Sequence, residues 1–417
     1  MNKLFHVCAA LCLMTGAAAA QAPAPITWEQ ARQRFESNNP ALAAGRLNID
    51  ESRAQEITAA LRPNPTATLT GDQFNPFSGG PAHSCCGSLL TVAQLSYLHE
   101  RENKRGLRLQ SARKGTAIAA GAQADLERNL IFGLRSAFVS TLQAKAVLHL
   151  AQDDLAYYDH VLEISRTRFQ DGDIAQIDLD RLELQRVQFE SDVQSAQIAL
   201  RTAKIALLTL LNERTPLDQF DVAGSYDAAL DLPALDQLRQ AALDNRPDLA
   251  AAAAAVDKAR TDHKLAVANG STDPTIGVDA GRNPPIDQYV GFNISIPLRI
   301  FDRNQGEKLR TELDVTRNQR LRDAVAAQVF GDVDSGYTTL SGTALLLRPY
   351  KDKYLQQSAR VRDTVYFSYQ NGGASLLDFL SAESEYRAVQ LAYVNLVGSY
   401  LEAAAQLNMA VGREVIQ

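Results

Sequence analysis

Two stretches about 200 positions apart decide the fold, because each reads as a copy of the other. Phe169-Gln-Asp-Gly-Asp-Ile-Ala-Gln-Ile-Asp-Leu179 aligns with Tyr369-Gln-Asn-Gly-Gly-Ala-Ser-Leu-Leu-Asp-Phe379. Two further pairs follow in the same order: Asn39-Pro-Ala-Leu42 with Arg246-Pro-Asp-Leu249, and Leu61-Arg-Pro-Asn-Pro-Thr66 with Gly270-Ser-Thr-Asp-Pro-Thr275. A repeat that runs in one order through both halves predicts two copies of one structural unit.

The first 22 residues have the composition of a secretory signal peptide. Lys3 supplies the positive charge, Leu4–Met14 the short apolar segment, and Ala18-Ala-Ala-Gln-Ala22 the small residues of a cleavage site. Neither Cys8 nor Cys12 follows the tripeptide that bacterial lipidation requires. We therefore predict an exported chain that carries no lipid anchor.

Charge and cysteine content exclude several function classes. The net charge is −6 with both signs mixed along the chain, which does not favour binding to nucleic acid. After the signal peptide only Cys85 and Cys86 remain, and adjacent cysteines are poor disulfide partners. The sequence also shows no nucleophile motif or phosphate-binding loop, so we predict a protein that is not an enzyme and needs no cofactor.

Each half contains one very long predicted helix that ends at a glycine turn. The helices extend over about 102–170 and 305–370, and the second carries Pro349, which we expect to kink or break it. The turns fall at Asp171-Gly172 and Asn371-Gly372-Gly373, since glycine favours the left-handed conformation that ends a helix.

Return helices are predicted at 174–212, capped by Asp173, and at 376–411, capped by Ser375. Shorter helices at Leu42–Leu61 and Asp248–Asn269 open each half. One short helix and one return helix together match the length of the long helix, so we expect them to stack end to end beside it.

Between the opening helix and the long helix of each half the sequence predicts two strands. They cover about 66–74, 89–98, 274–281 and 289–298. In the last of these, apolar residues alternate with Gly291, Asn293 and Ser295, which indicates one apolar face. Four strands of this length suit a membrane barrel but cannot close one, because the smallest membrane barrels use eight. Several chains would have to build it together.

The predicted organisation is therefore a signal peptide over 1–22, a first repeat over 23–213, a linker or equatorial segment over 214–245 and a second repeat over 246–417. This pattern resembles the TolC family of outer-membrane efflux ducts along the whole mature chain. Ile294-Ser-Ile-Pro-Leu-Arg-Ile-Phe-Asp-Arg-Asn-Gln-Gly306 is similar to the signature of the heavy-metal branch, the CzcC-like and CusC-like components.

The resemblance implies a mainly α-helical fold with long helical hairpins and a small β part, which forms a 12-stranded barrel in a homotrimer. It also implies a place in the outer membrane of a Gram-negative bacterium, with a helical tunnel in the periplasm. The implied partners are a periplasmic adaptor (membrane fusion) protein, an inner-membrane pump of the RND class and outer-membrane lipid. The implied substrates are heavy-metal cations. A duct for organic drugs or secreted polypeptides is the alternative, as is a periplasmic coiled-coil scaffold, against which the four strands argue.

Asp178 and Asp378 occupy equivalent positions just after the glycine turns. The resemblance suggests an acidic constriction at the periplasmic mouth, where a ring of carboxylates would favour cations. The alternative is helix capping: Ser375-x-x-Asp378 fits a capping box, whereas Asp178 lacks the serine.

The turns themselves are predicted to contact the adaptor through Gly172, Asp173, Gly372, Gly373 and Ser375, unless their glycines serve only to make the turn. His83, Cys85 and Cys86 place an imidazole beside two thiols in the first hairpin loop, a combination that suits copper, silver or zinc. The alternative for these three is an ordinary loop with no ligand role.

Overall fold

The computed structural model of the protein describes residues 25–72, 90–283 and 286–416. The predicted signal peptide over 1–22 and the proposed metal ligands His83, Cys85 and Cys86 lie outside these residues. Within the described ranges, none of the helices combines the length and the apolar character needed to cross a membrane.

The first half of the chain contains four helices and two strands, within the described ranges. They are α1 (Trp28–Asn38), α2 (Pro40–Ala60), β1 (Thr66–Asp72), β2 (Leu90–Leu98), α3 (Lys104–Gln170) and α4 (Gln176–Leu211). After a 3₁₀ turn at Leu217–Gln219 the second half follows the same order: α5 (Leu235–Asn245), α6 (Pro247–Asn269), β3 (Thr275–Asn283), β4 (Ile286–Ser295), α7 (Gln305–Pro349), α8 (Leu355–Gln370) and α9 (Leu376–Val411). The repeat is close, since α4 and α9 each have 36 residues and α1 and α5 each have 11.

Two short helices were missing from the sequence prediction. The segment 214–245, predicted as a linker, contains α5, which buries Leu238, Ala241 and Ala242. Its counterpart α1 begins at a capping box formed by Thr27 and Gln30. Both helices had visible signals, a capping box in one and an apolar i, i+3 spacing in the other.

The second long helix is interrupted where its proline predicted a break. α7 ends at Pro349, a single π-helical turn covers Tyr350–Tyr354, and α8 continues to the tip. Proline removes one backbone donor and crowds the preceding turn, and a π turn is one way to absorb that misfit. By contrast, α3 runs for 67 residues, about 100 Å, without such an interruption.

Short and return helices stack end to end beside α3, as their lengths predicted. The side-chain amide of Asn39, which caps α2, donates to the carbonyl of Leu210 near the end of α4, over 3.3 Å. In the second half the guanidinium of Arg246, at the start of α6, donates to the carbonyl of Ala410 near the end of α9, over 3.4 Å. Equivalent positions of the two repeats thus join the same pair of helix ends.

Apolar packing is concentrated at two levels of the molecule. Two cores lie where the short helices meet the return helices: one joins α1, α2, α3 and α4, and the other joins α3, α5, α7 and α9. A further core, here called the tip cluster, joins α3 and α4 to α8 and α9 near the glycine turns. The tip cluster consists of Tyr158, Val161, Leu162, Leu179, Leu182, Phe189, Tyr369, Leu376 and Phe379. Each large side chain of this kind contributes about 1.5–3 kcal/mol when fully buried, so the tip cluster holds the two hairpins together.

The four strands form one antiparallel sheet in the order β1-β2-β3-β4. Its register places apolar side chains beside one another on one face and mostly polar residues and glycine beside one another on the other. One face carries Leu69, Ala93, Ala280 and Val290 in one row and Ala67, Leu95, Val278 and Phe292 in the next. The opposite face carries Thr68, Gln94, Asp279 and Gly291 in one row and Thr66, Ser96, Gly277 and Asn293 in the next. The sheet is thus amphipathic, with one apolar and one polar face.

Candidate functional site

The two glycine turns have the same backbone geometry. At the end of α3, Gly172 adopts φ +83° and its N–H donates to the Phe169 carbonyl, while the N–H of Asp173 donates to the carbonyl of Arg168. At the end of α8, Gly372 adopts φ +74° and repeats the first bond to Tyr369, and Gly373 repeats the second to Ser368. Both ends are Schellman motifs, in which glycine is preferred because the left-handed conformation crowds a side chain.

The return helices begin differently in the two repeats. Ser375 caps α9 through a complete capping box: its Oγ accepts from the Asp378 N–H over 3.2 Å, and its own N–H donates to the Asp378 carboxylate over 3.0 Å. The prediction that Asp173 caps the other return helix is wrong. α4 begins at Gln176 after Ala175, whose side chain offers no oxygen to the helix.

Asp378 is therefore a helix-capping residue in this structure. The Ser375 hydroxyl also donates to its carboxylate over 2.7 Å. These hydrogen bonds favour the charged form, so the Ser375 hydroxyl and N–H lower the pKa of the Asp378 carboxyl. The carboxylate nevertheless stays exposed, so capping leaves it open to solvent.

Asp178 occupies the equivalent position in the first repeat, but Ala175 precedes it in place of the serine, so no capping box forms there. It is partly buried in the first turn of α4, and within the described residues its carboxylate has neither a hydrogen bond nor an ion pair. Its charge raises the pKa of the neighbouring Tyr369 on α8, although burial is the larger cause. Within the described residues, the Asp378 carboxylate is thus hydrogen-bonded and the Asp178 carboxylate is not.

Aromatic contacts hold both tips in one bundle. Tyr158 stacks on Phe189 within the first hairpin with ring centroids 4.4 Å apart, and Tyr369 stacks on Phe379 within the second at 5.6 Å. Arg168, in the last turn of α3, lies over the ring of Tyr369, 5.3 Å from its centroid, and so links the two hairpins. The glycine turns and Ser375 remain exposed beyond this bundle.

Glu383 is a buried carboxylate that the sequence analysis did not single out. It lies on α9 with 2% of its surface exposed, and neither carboxylate oxygen has a hydrogen-bond partner within the described residues. One signal was available: Glu383 follows Leu376 by seven residues and Phe379 by four, which puts it on the apolar stripe of the helix.

Metal-binding groups are scattered in the part of the chain that the structure describes. No three of its His, Cys, Asp and Glu side chains lie close enough together to hold a metal ion. The candidate site has two parts. One is the pair of glycine turns with the acidic residues that follow them, and the other, at the opposite end of the molecule, is the amphipathic sheet.

Two tandem helical hairpins, with a four-stranded sheet at one end and glycine turns at the other, define the TolC-like class of fold. The chain can be aligned with a solved structure of CusC, reported in connection with transmembrane channel formation, at a TM-score of 0.77 and 19% identity over 93% of this chain and 92% of that one.

Sequence comparisons agree with this class. A family model described as outer membrane efflux protein matches residues 238–413. The cobalt-zinc-cadmium resistance protein CzcC of Cupriavidus metallidurans is 23% identical over 402 residues, which cover 94% of this chain and 91% of CzcC. The pyoverdine export outer membrane protein OpmQ of Pseudomonas aeruginosa is 25% identical over 408 residues, which cover 91% of this chain and 84% of OpmQ. The predicted fold class and the predicted resemblance to TolC-like outer membrane efflux proteins are confirmed.

Proposed function

We propose that three copies of this chain assemble into an outer-membrane channel that exports heavy-metal cations as part of a tripartite efflux system. A periplasmic adaptor would contact the exposed turns at Gly172, Asp173, Gly372, Gly373 and Ser375. An inner-membrane pump of the RND class would supply the energy.

The amphipathic sheet is the observation that carries this proposal. Val290 and Leu69 each expose 85% of their surface on the apolar face, and Phe292 exposes 65%. Exposed apolar surface of this kind suits contact with lipid, whereas the threonine, glycine and asparagine of the other face suit a water-filled interior. Strands β1 and β4 are the edges of this sheet, and within the described residues neither is paired along its outer side. Neighbouring copies would satisfy those edges and close a barrel.

Selection for cations is supported by the tip carboxylates. Three copies would bring six aspartates, from Asp178 and Asp378, to the end of the molecule opposite the sheet. Asp178 lacks a partner within the described residues, and Asp378 keeps its charge because its pKa is lowered. A ring of like charges raises the local concentration of cations at a pore mouth.

Metals are favoured as substrate over organic molecules by the signature at 294–306 and by the similarity to CzcC along nearly the whole chain. The comparable similarity to OpmQ, a protein named for pyoverdine export, supports a siderophore-type organic substrate as the second candidate.

Deleting the gene in its host separates the two candidates. We expect greater sensitivity to zinc, cobalt, cadmium, copper or silver, restored by a plasmid copy, with unchanged tolerance of dyes and antibiotics. Normal metal tolerance together with intracellular retention of a siderophore, or with drug sensitivity alone, would reject metal export and favour an organic substrate.

A further inference from the structure

The side chain of Glu383 lies where α9 packs against both α3 and α8. Tyr157 on α3 is one of its neighbours, and the hydroxyl of Tyr157 also has no partner within the described residues. Buried polar atoms nearly always find a partner, and an unpaired buried carboxylate is among the costliest exceptions. The absence of partners on both carboxylate oxygens calls for a physical explanation.

The two arginines that attract the Glu383 carboxylate, Arg362 and Arg387, are engaged by other groups. Arg362 lies between two rings, 4.6 Å from the centroid of Tyr157 and 4.0 Å from that of Tyr386, and pairs with Asp363 over 2.8 Å.

Arg387 lies over Phe189 and donates to the carboxylates of Asp154 and Asp192. Neither arginine forms a salt bridge with Glu383 in this arrangement.

Charged and titratable groups face Glu383 from each element packed around it. They are Asp154, Tyr157 and Tyr158 on α3, Arg362 and Asp363 on α8, and Arg387 on α9, which in turn holds Asp192 on α4. Attraction to the arginines is partly cancelled by repulsion from Asp154 and Asp363, so burial is the largest influence on the Glu383 carboxyl. Burial raises its pKa to about 7.

We propose that Glu383 is a proton-binding site that couples pH to the packing of the second hairpin, α8 and α9, against α3. The tip bundle is tight while the Glu383 carboxyl is protonated, and it loosens when the carboxyl ionises, because the charged form must reach water or an arginine that is now engaged elsewhere. In a channel, this would make the packing at the pore mouth respond to pH close to neutrality.

The direction of the effect follows from linkage. A carboxyl whose pKa is raised in the folded state favours the packed form at low pH, and this advantage is lost as pH rises through the raised pKa. Asp378 behaves in the opposite way: its lowered pKa contributes stability above its ordinary pKa, and that stability is lost only as pH falls through the lowered value. The two carboxyls therefore respond in separate pH ranges.

Hydrogen–deuterium exchange on the full-length, detergent-solubilised protein tests the proposal. Exchange of amides in 355–370 and 376–390 would be followed from pH 5.5 to 8.5, with correction for the intrinsic exchange rate. If local opening returns the pKa of the carboxyl from about 7 to its ordinary 4.5, the opening equilibrium constant rises about 30-fold across this pH range. Amides in 397–411, in the core that joins α9 to α5 and α7, serve as the internal reference.

Glu383→Gln should abolish most of this pH dependence and keep the tip tight at pH 8.5. Glu385→Gln is the matched control, because Glu385 is exposed on the same helix and its replacement should leave the wild-type response intact. Glu383→Met provides a second neutral side chain if the glutamine variant fails to fold.

A wild-type protein with pH-independent tip exchange would overturn the proposal. So would a response equal at the tip and in 397–411, or one that persists in Glu383→Gln and would then belong to Asp154 or another group. These measurements need neither a substrate nor a partner, so they can fail independently of the proposed export function.

Discussion

At the scale of single residues, equivalent positions of the two repeats have acquired different tasks. Asp378 completes a capping box with Ser375, whereas Asp178 follows Ala175 and has no bond to make there. The capping interpretation thus describes Asp378, and the pore interpretation remains a prediction for both. The same comparison suggests two pairs of substitutions, each with its control in the other repeat.

The first prediction concerns the caps. Ser375→Ala removes the oxygen that accepts from the Asp378 N–H, and we expect it to lower the stability of the second tip by ~1 kcal/mol. Ala175→Ser should raise the stability of the first tip by a similar amount, because Asp178 already occupies the position that completes a box. Exchange rates of the amides at 176–179 and 376–379 measure both effects. Equal behaviour of the two tips in all variants would contradict this account.

The second prediction concerns ion selectivity. Asp178→Asn should reduce the preference for cations, on the order of a few-fold in permeability ratio, because it removes uncommitted charge from the proposed ring. Asp378→Asn should reduce the preference by a similar factor, because that carboxylate also keeps its charge and its exposure, and it should weaken the helix cap in addition. Reversal potentials of reconstituted channels under a salt gradient report the ratio. An unchanged potential in the double variant would place any charge selection elsewhere.

At the scale of helices and strands, the junctions between stacked helices hold the repeat together. Asn39 and Arg246 stand at equivalent positions, but Arg246 does more: it pairs with Asp248 and with Asp332 of α7, each over 2.6 Å, and is buried. This arrangement ties the start of α6 to the end of α9 and to the middle of the second long helix.

The third prediction concerns this junction. Arg246→Met keeps most of the side-chain volume but removes the cation from Asp332 and leaves Asp248 only its 4.0 Å contact with Arg128. We expect a loss of roughly 1.5–3 kcal/mol in the free energy of unfolding, because hydrogen bonds between charged groups are lost. Asn39→Ala, the matched change in the first repeat, should cost only ~1 kcal/mol because it removes a neutral cap. Denaturant unfolding in detergent measures both. Similar losses in the two variants would mean that the buried ion pairs add nothing to the junction.

At the scale of the whole molecule, a single chain exposes surfaces that are suited to contact with lipid or with other protein chains. The sheet exposes an apolar face and has two edge strands, while both tips present exposed turns. The buried hydrophobic cores include no residue of the sheet. Assembly therefore has to be tested on the sheet rather than on the cores.

The fourth prediction concerns assembly. We expect wild-type protein to purify from membranes as a detergent-solubilised trimer. Leu69→Arg puts a charge on the apolar face and should cost up to about 2–4 kcal/mol per chain if that face meets lipid. Thr68→Arg, one residue away on the polar face, should leave insertion and trimer yield near the wild-type level. Native mass spectrometry and membrane fractionation measure both. A monomer that needs no detergent would refute the channel.

Much of the architecture could be predicted from local sequence. Helix lengths, the glycine turns, the break at Pro349 and the strand alternation all depend on near neighbours in the chain. Tandem repetition then multiplies that local information, because each half repeats the signals of the other. The helices α1 and α5 were missed although their signals were present, since 11 residues give few periods to recognise.

The sequence by itself determined the two-repeat plan, the family resemblance and the acidic residues behind each glycine turn. Only the tertiary structure decided which acids are engaged and which are buried. Glu383 and Glu385 differ by two positions, yet one is enclosed by α3 and α8 while the other faces solvent. The physical reason is that burial and charge pairing depend on helices far apart in the chain, and Arg362 and Arg387 could have served Glu383 had other groups not taken them.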